Sequence, residues 1–479
     1  MTLPALGSIS SPVSRLAPEK VAARAGRAGR LRAGFGSRFF VALLAGLVWT
    51  GPAWWDHRFI YALPAWDLVV VLVWLADLLR LPKPEAIEVA REWARPLGLG
   101  EKNGVTLRVR SAGPGAVWMS LEDDLPPEFN PLEPARAIQL GAAAPATFTY
   151  SVCPGARGDF DAGGVYLRYE SPLRFAERWA FADLRQRVRV YPSLRESEQS
   201  TLYLIRSRQI ELEKRLMRKT GAGREFESLR DYRSGDEPRD ICWTATARRG
   251  KPITRTYQVE RSQTVLIVLD AGRLLLAKVK PGPAERARGG IVLNKLDHAV
   301  NAALGLARVA LYSGDAVGLT AYARRIEAQL PASRGTPHLR ALVESLAQVR
   351  GELVEADHER AAGYLLATQR RRCLVVWLTE FAETAATPDV IESASRLLRR
   401  HLVLFVAITQ PELHRLAARK PSSVREGYRY VAAQEMLQRR EALLGRLRRQ
   451  GALALELEPQ QVPSGLVNQY LEIKERSLL

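Results

Sequence analysis

Cysteine, histidine and methionine are scarce, with three, six and four residues in a chain of 479. Cys153, Cys242 and Cys373 are odd in number and far apart, without the paired spacing of a zinc site or a disulfide framework, so a reducing compartment fits them best. His57, His298, His338, His358, His401 and His414 show no ligand spacing and are read as surface or helix residues. The spacings G-x-x-x-x-G-K-[ST], H-E-x-x-H and G-x-S-x-G are also missing, which removes the phosphate-loop, zinc-protease and nucleophile-elbow chemistries. No catalytic residue is assigned. Acidic side chains are in deficit, 51 against 70 basic ones, and the net charge of +19 favours an anionic partner, phospholipid or nucleic acid, without choosing between them.

What is present is enough apolar material, 47% of residues against 25% charged, to bury a core along most of the chain. Single cores stop growing near roughly 250–300 residues, so two or three units are expected. Residues 1–38 carry Arg15, Lys20, Arg24, Arg27, Arg30, Arg32 and Arg38 against Glu19 alone in a Gly/Ala/Ser-rich context, and read as a basic flexible tail.

Residues 39–80 read as a transmembrane helical hairpin. The uncharged run from Phe39 to Trp55 spans about 25 Å as a helix, and that from Phe59 to Leu79 about 31 Å, close to the hydrocarbon thickness. Only Asp56, His57 and Arg58 separate them, and Trp49, Trp54, Trp55, Tyr61 and Trp66 cluster near the turn, where amphipathic rings favour headgroups. Basic residues before Phe39 and at Arg80, Lys83, Arg91 and Arg95 put both outer ends in the cytoplasm by the positive-inside rule, giving a multi-pass inner-membrane protein. A second apolar run and the lack of a clear small-residue cleavage site argue against a signal peptide. Pro64 and Asp67 are assigned to the interfacial turn, and Asp77 to the opposite interface beside Arg80.

From 85 to 195, short alternating stretches such as Val105 to Val109, Ala146 to Val152 and Gly164 to Tyr169 are punctuated by Pro and Gly, as in a small β-sandwich. Residues 196–262 hold a connecting helix, Gln199 to Lys219, and a dense charged segment. From 263 to 479, strand-like runs (Thr264 to Leu269, Ala316 to Ala321, Cys373 to Leu378, Leu402 to Ile408, Ala452 to Leu457) alternate with helical ones (Lys295 to Tyr312, Pro337 to Val349, Val390 to Arg400, Tyr430 to Gln450). The alternation predicts a doubly wound α/β sheet whose ligands bind beyond the carboxyl ends of its strands. The last helix carries Arg439, Arg440, Arg446, Arg448 and Arg449; it can touch anionic lipid or nucleic acid, but Met436, Leu437, Leu443, Leu444 and Leu447 more simply pack it on the sheet.

In the dense segment Phe226, Leu229, Tyr232, Ile241 and Trp243 act as anchors, while Arg230, Arg239 and Arg248 can meet Asp231, Asp236, Asp240 and Glu260. The simplest reading is an ion-pair clasp about a Gly235-Asp236 turn, because arginine suits planar bidentate pairing with carboxylates. The pattern Phe226-x-x-Leu229-Arg230-x-Tyr232-x-x-Gly235-Asp236-x-x-Arg239-x-Ile241-x-Trp243-x-x-x-Ala247-Arg248, followed by Glu260 and a strand ending in Asp270, resembles the domain of unknown function 58 family. The resemblance runs from about Tyr191 to the C-terminus, with a Val190-Tyr191-Pro192 lead-in and a closing Tyr470-Leu471. It implies a von Willebrand factor A-like α/β domain, often encoded beside MoxR-type AAA+ ATPases, with no established enzymatic activity.

Such domains can hold Mg²⁺ through Asp-x-Ser-x-Ser, a later threonine and a further aspartate, which suits a hard cation. Here the first motif reads Asp270-Ala271-Gly272-Arg273-Leu274, without either hydroxyl, and Thr336 and Glu380 stand as remnants of the other ligands. This departure from the pattern the resemblance implies makes a degenerate, metal-free site the leading expectation, with Mg²⁺ the lesser alternative and no other cofactor expected. The leading functional expectation is a membrane-tethered, cytoplasm-facing scaffold, not an enzyme, partnered by lipid and a MoxR-type ATPase acting in assembly or maturation of other proteins. The alternatives are a metal-dependent hydrolase using Asp270 and Glu380, and a nucleic-acid binder, favoured by charge alone and not expected.

Overall fold

The computed structural model describes residues 17–27, 33–112, 116–132, 137–141, 145–193, 225–233, 238, 241–258, 263–281, 290–381 and 387–476. The chain forms two compact units, Met1–Tyr191 with Pro281–Val292, and Pro192–Lys280 with Leu293–Leu479. The connecting helix expected over Gln199 to Lys219 lies outside the described residues.

In the first unit the expected solvated tail contributes strands instead. β1 (Val21–Arg24) pairs with β4 (Ile87–Trp93), while β2 (Gly26–Arg27) and β3 (Gly34–Phe35) pair with β12 (Ala176–Ala182). The glycines that read as flexibility serve close backbone approach: a Cβ at Gly34 would lie 2.6 Å from Glu177 Oε1, and one at Gly36 only 2.1 Å from the Arg174 carbonyl oxygen. The hairpin also differs from expectation. Its first arm is α1 (Ser37–Ala45) extended by a 3₁₀ stretch over Gly46–Thr50. Its fourteen residues, Ser37–Thr50, reach about 21 Å, short of the roughly 30 Å hydrocarbon core, because Gly46, Gly51 and Pro52 interrupt the helix. The second arm contains α2 (Ala62–Arg80), and Arg58–Ala86 is the one stretch among the described residues long and apolar enough to cross a membrane.

Pro64 and Asp67 lie inside α2 rather than in a turn, since proline is tolerated in a first helical turn. Trp66 Nε1 donates to the Ala42 carbonyl at 2.8 Å and closes one arm on the other over Gly46. Asp77, expected at an open interface, is only 2% exposed. It accepts from the Ser171 hydroxyl and from the backbone N–H groups of Phe175 (3.2 Å) and Ala176 (3.0 Å).

The remaining strands are β5 (Leu97–Gly98), β6 (Asn103–Ser111), β7 (Val117–Asp123), β8 (Ala137–Leu140), β9 (Ala146–Val152), β10 (Gly158–Ala162), β11 (Val165–Glu170) and β13 (Gln186–Tyr191). They form sheets ordered β1-β4-β6-β9, β2-β12-β11-β7-β8 and β10-β13-β5. Arg91 on β4, fully buried, links the first of these sheets to the second: it is paired with Asp123 on β7 and also donates to the carbonyls of Leu184 and Gly163. Arg91, counted in the sequence among the orienting flank charges, is thus enclosed in the folded core.

In the second unit β14 (Glu225–Asp231) and β15 (Ile253–Gln258) make a two-stranded ribbon bracketing α3 (Trp243–Arg249). The main sheet holds β16 (Thr264–Asp270), β19 (Ala316–Tyr322), β20 (Ile326–Ser333), β21 (Leu374–Thr379), β22 (Leu402–Ile408) and β23 (Leu453–Leu457), in the order β20-β19-β16-β21-β22-β23. All pairs are parallel except β19 with β20. A two-stranded ribbon of β17 (Lys278–Val279) and β18 (Leu293–Asn294) precedes α4 (Lys295–Tyr312), which starts in a capping box between Asn294 and Asp297 and is buried on nearly every side. Further helices are α5 (Thr336–Gln348), α6 (His358–Thr368), α7 (Thr387–Leu398), α8 (Pro411–Ala418), α9 (Val424–Arg449) and α10 (Val462–Glu475). Counted within this sheet alone the strands run 3-2-1-4-5-6, so the order reverses between β16 and β21, where a doubly wound sheet opens a crevice.

Candidate functional site

The reversal brings the end of β16, Asp270, beside the end of β21, Thr379, with Glu380 following. Asp270 is 2% exposed; its Oδ1 accepts from the Gly272 N–H at 2.7 Å and its Oδ2 from the Thr379 hydroxyl at 2.6 Å. Burial raises its pKa above the usual carboxylate range, opposed by the charge of His358 and by these two donors. Glu380 has cations for neighbours. Lys295 Nζ, on a fully buried side chain at the start of α4, lies 2.7 Å from Glu380 Oε1, and Arg440 Nη2, from the middle of α9, lies 3.0 Å from the same oxygen. Arg440 also donates to the Phe381 carbonyl at 3.3 Å and approaches Glu456 at 3.6 Å. Burial lowers the Lys295 pKa and the Glu380 charge works against that loss.

A polar relay sits alongside: Trp377 Nε1 donates to the Tyr322 hydroxyl at 2.6 Å, and that hydroxyl is 2.7 Å from His358 Nδ1. The loop between α5 and α6 closes the edge, with Glu352 N–H on the Ala271 carbonyl and Arg273 N–H on the Val354 carbonyl. The small cleft that remains is lined by Asp270, Gly272, Glu355, His358 and Glu380 among others.

These residues do not fit Mg²⁺. A Cβ at Gly272 would stand 3.0 Å from Ala356 Cβ and 3.1 Å from its backbone nitrogen, so the place of the first missing hydroxyl is filled by the loop. Leu274 is half-buried and brings no oxygen from its side chain, and Glu380 is occupied by Lys295 and Arg440. Thr336 requires correction as a remnant ligand. It is exposed at the start of α5, next to His338, whose Nε2 contacts the Val317 carbonyl at the opposite end of the sheet from Asp270. The loop holding Glu355 and Ala356 takes the place expected of it at the edge.

In the expected clasp, Arg230 and Tyr232 are half-buried, while Arg248 and Trp243 are exposed, Trp243 at 69%. Trp243 and Leu229, 39% exposed, are therefore surface residues rather than anchors, because a two-stranded ribbon with one short helix has too little surface to cover both. Gly235, Asp236, Arg239, Asp240 and Glu260 lie outside the described residues. The closing Tyr470 has a structural role: its hydroxyl donates to Asp315, which also binds Lys474 Nζ at 2.9 Å and the Gln263 N–H at 2.9 Å.

Sequence reasoning missed Lys295, Tyr322, Glu355 and His358 at this edge, and it placed Arg440 on a basic outer face although it is 7% exposed. The available signal for Arg440 was its register with Leu443, Leu444 and Leu447, all buried.

Strand order and the carboxylates at the strand ends define the class as a doubly wound, mostly parallel α/β domain. Residues 228–425 match the family described as "Protein of unknown function DUF58", which bears out the resemblance read from the signature over that segment. Similar solved structures include the SpRpn10 VWA domain (14% identity, 43% of this chain and 95% of that chain, TM-score 0.25). Others are the conserved hypothetical protein BatB from Bacteroides thetaiotaomicron (15%, 45% and 100%, 0.28) and an uncharacterized membrane spanning protein from Vibrio fischeri (13%, 44% and 98%, 0.17). The fold class rests on the strand order of the main sheet. No curated protein matches the chain.

Proposed function

We propose that this protein is a membrane-anchored interaction platform, whose A-like domain offers its strand edge to a MoxR-type AAA+ ATPase during assembly or maturation of other proteins. The observation that carries the reading is Glu380 at the strand edge, whose Oε1 is held by the protein's own Lys295 and Arg440. An edge neutralised from within offers a partner its shape and surface side chains, among them exposed Arg273 and Leu353, the latter 86% exposed on the closing loop. The apolar stretch Arg58–Ala86 supports anchoring, with the hairpin held in the bacterial inner membrane and both its ends and the large C-terminal region cytoplasmic. Catalysis, cofactor and nucleic acid have no part in this reading. A photo-crosslinking residue at Leu353 in native membranes tests it. An AAA+ ATPase should be the captured protein, and a capture pattern identical to that from a probe at Leu132 would overturn the edge as the contact.

A further inference from the structure

We propose that the turn at 171–175 of the first unit is a membrane-surface contact, with Leu173 entering the acyl boundary and Arg174, Arg38 and Arg80 holding the phosphates of anionic phospholipid headgroups. This rests on the reading of α2 as a membrane helix. Depth is fixed by hydrogen bonds to both ends of the hairpin. The Arg38 N–H, in the first turn of α1, donates to the Arg174 carbonyl at 3.3 Å, and the Gly36 N–H donates to the Phe175 carbonyl at 2.8 Å. At the other arm Asp77, in the last turn of α2, receives the N–H groups of Phe175 and Ala176, while Arg178 Nη2 caps the Leu78 carbonyl at 3.0 Å. With α2 inserted, the turn therefore lies at the level where its helix ends, in the headgroup layer.

The chemistry of the turn suits that layer. Leu173 is 45% exposed and Phe35, on the paired strand, 46%, although both stand beside a closely packed joint. Arg38, Arg80 and Arg174 are exposed. Arg174 holds a left-handed backbone at φ +57°, a conformation unfavourable for a long side chain that persists here because both hairpin ends clamp the turn. Its guanidinium lies 5.6 Å from the Trp118 ring, a contact made through the π face that leaves N–H donors at its edge for phosphate. The adjacent carboxylate does not compete: Glu177 is buried and takes Arg168 Nε at 3.0 Å and Nη2 at 2.6 Å. Three exposed cations with two apolar side chains match a surface of anionic headgroups over acyl chain.

The test uses the full chain in nanodiscs with a fluorophore on Leu173→Cys, the native Cys153, Cys242 and Cys373 being buried. Headgroup-level spin-labelled lipid should quench it, more strongly in phosphatidylglycerol than in phosphatidylcholine discs, and adding Arg174→Glu should remove the difference. A second label on Leu72→Cys, at the exposed middle of α2, should be quenched by deep spin-labelled lipid. If Leu72→Cys is quenched by lipid while Leu173→Cys responds only to aqueous iodide, this proposal fails and the anchor stands. If both labels respond only to iodide, the anchor and the proposal fail together. Equal quenching in both lipids, unaffected by Arg174→Glu, would overturn the headgroup assignment.

Discussion

Asp270 is held by two neutral donors, the Gly272 N–H and the Thr379 hydroxyl, in a site that raises its pKa by burial. A carboxyl whose folded pKa exceeds its unfolded value stabilises the fold fully below the unfolded pKa, near 3.9, and loses that contribution as pH rises through the folded value. Asp270→Asn keeps an acceptor for Gly272 and removes the charge. Its melting temperature relative to wild type should therefore be higher at pH 8 than at pH 4, and a larger gain at pH 4 would contradict the assignment. The same geometry bears on metal. With Gly272 pressed on Ala356 and Glu380 taken by Lys295 and Arg440, calorimetric titration with Mg²⁺ and Mn²⁺ should show no micromolar binding. Micromolar binding that vanishes in Asp270→Ala would restore a metal-dependent edge.

At the scale of elements, the buried Arg91–Asp123 pair joins two sheets, and burial raises the Asp123 pKa even against the Arg91 charge. Removing one partner of such a pair leaves the other uncompensated, so Arg91→Ala should lower the stability of the β-rich unit by about 3–5 kcal/mol in denaturant melts. A change below about 1 kcal/mol would show that water reaches the pair. Arg91 also marks what sequence reading cannot supply. The strand runs Thr264 to Leu269, Cys373 to Leu378 and Leu402 to Ile408 were legible because a parallel strand buried on both faces is continuously apolar. Ile326–Ser333 was missed because an edge strand alternates between half-buried and exposed positions and carries Pro331, which demotes it on pattern. Asp270 and Glu380 were legible from the motif, whereas Lys295 and Arg440 reach the edge from helices that precede and follow in the chain, and no local spacing encodes that meeting.

For the whole molecule, the basic excess of +19 is divided among different uses. Arg91, Lys295 and Arg440 are consumed inside the fold, Arg38, Arg80 and Arg174 stand at the hairpin ends, and Arg273 faces out at the strand edge. On the proposed reading, the edge ion pairs and the apolar stretch Arg58–Ala86 serve contact and tethering respectively. The central claim, a membrane-anchored protein that works by binding an ATPase, is tested most directly by affinity purification of the full chain from solubilised native membranes, with co-purifying proteins identified by mass. The expected result is recovery from the membrane fraction with a MoxR-type AAA+ ATPase in defined ratio. Recovery from the soluble fraction, or from membranes with no ATPase above the level of an untagged control, would contradict it.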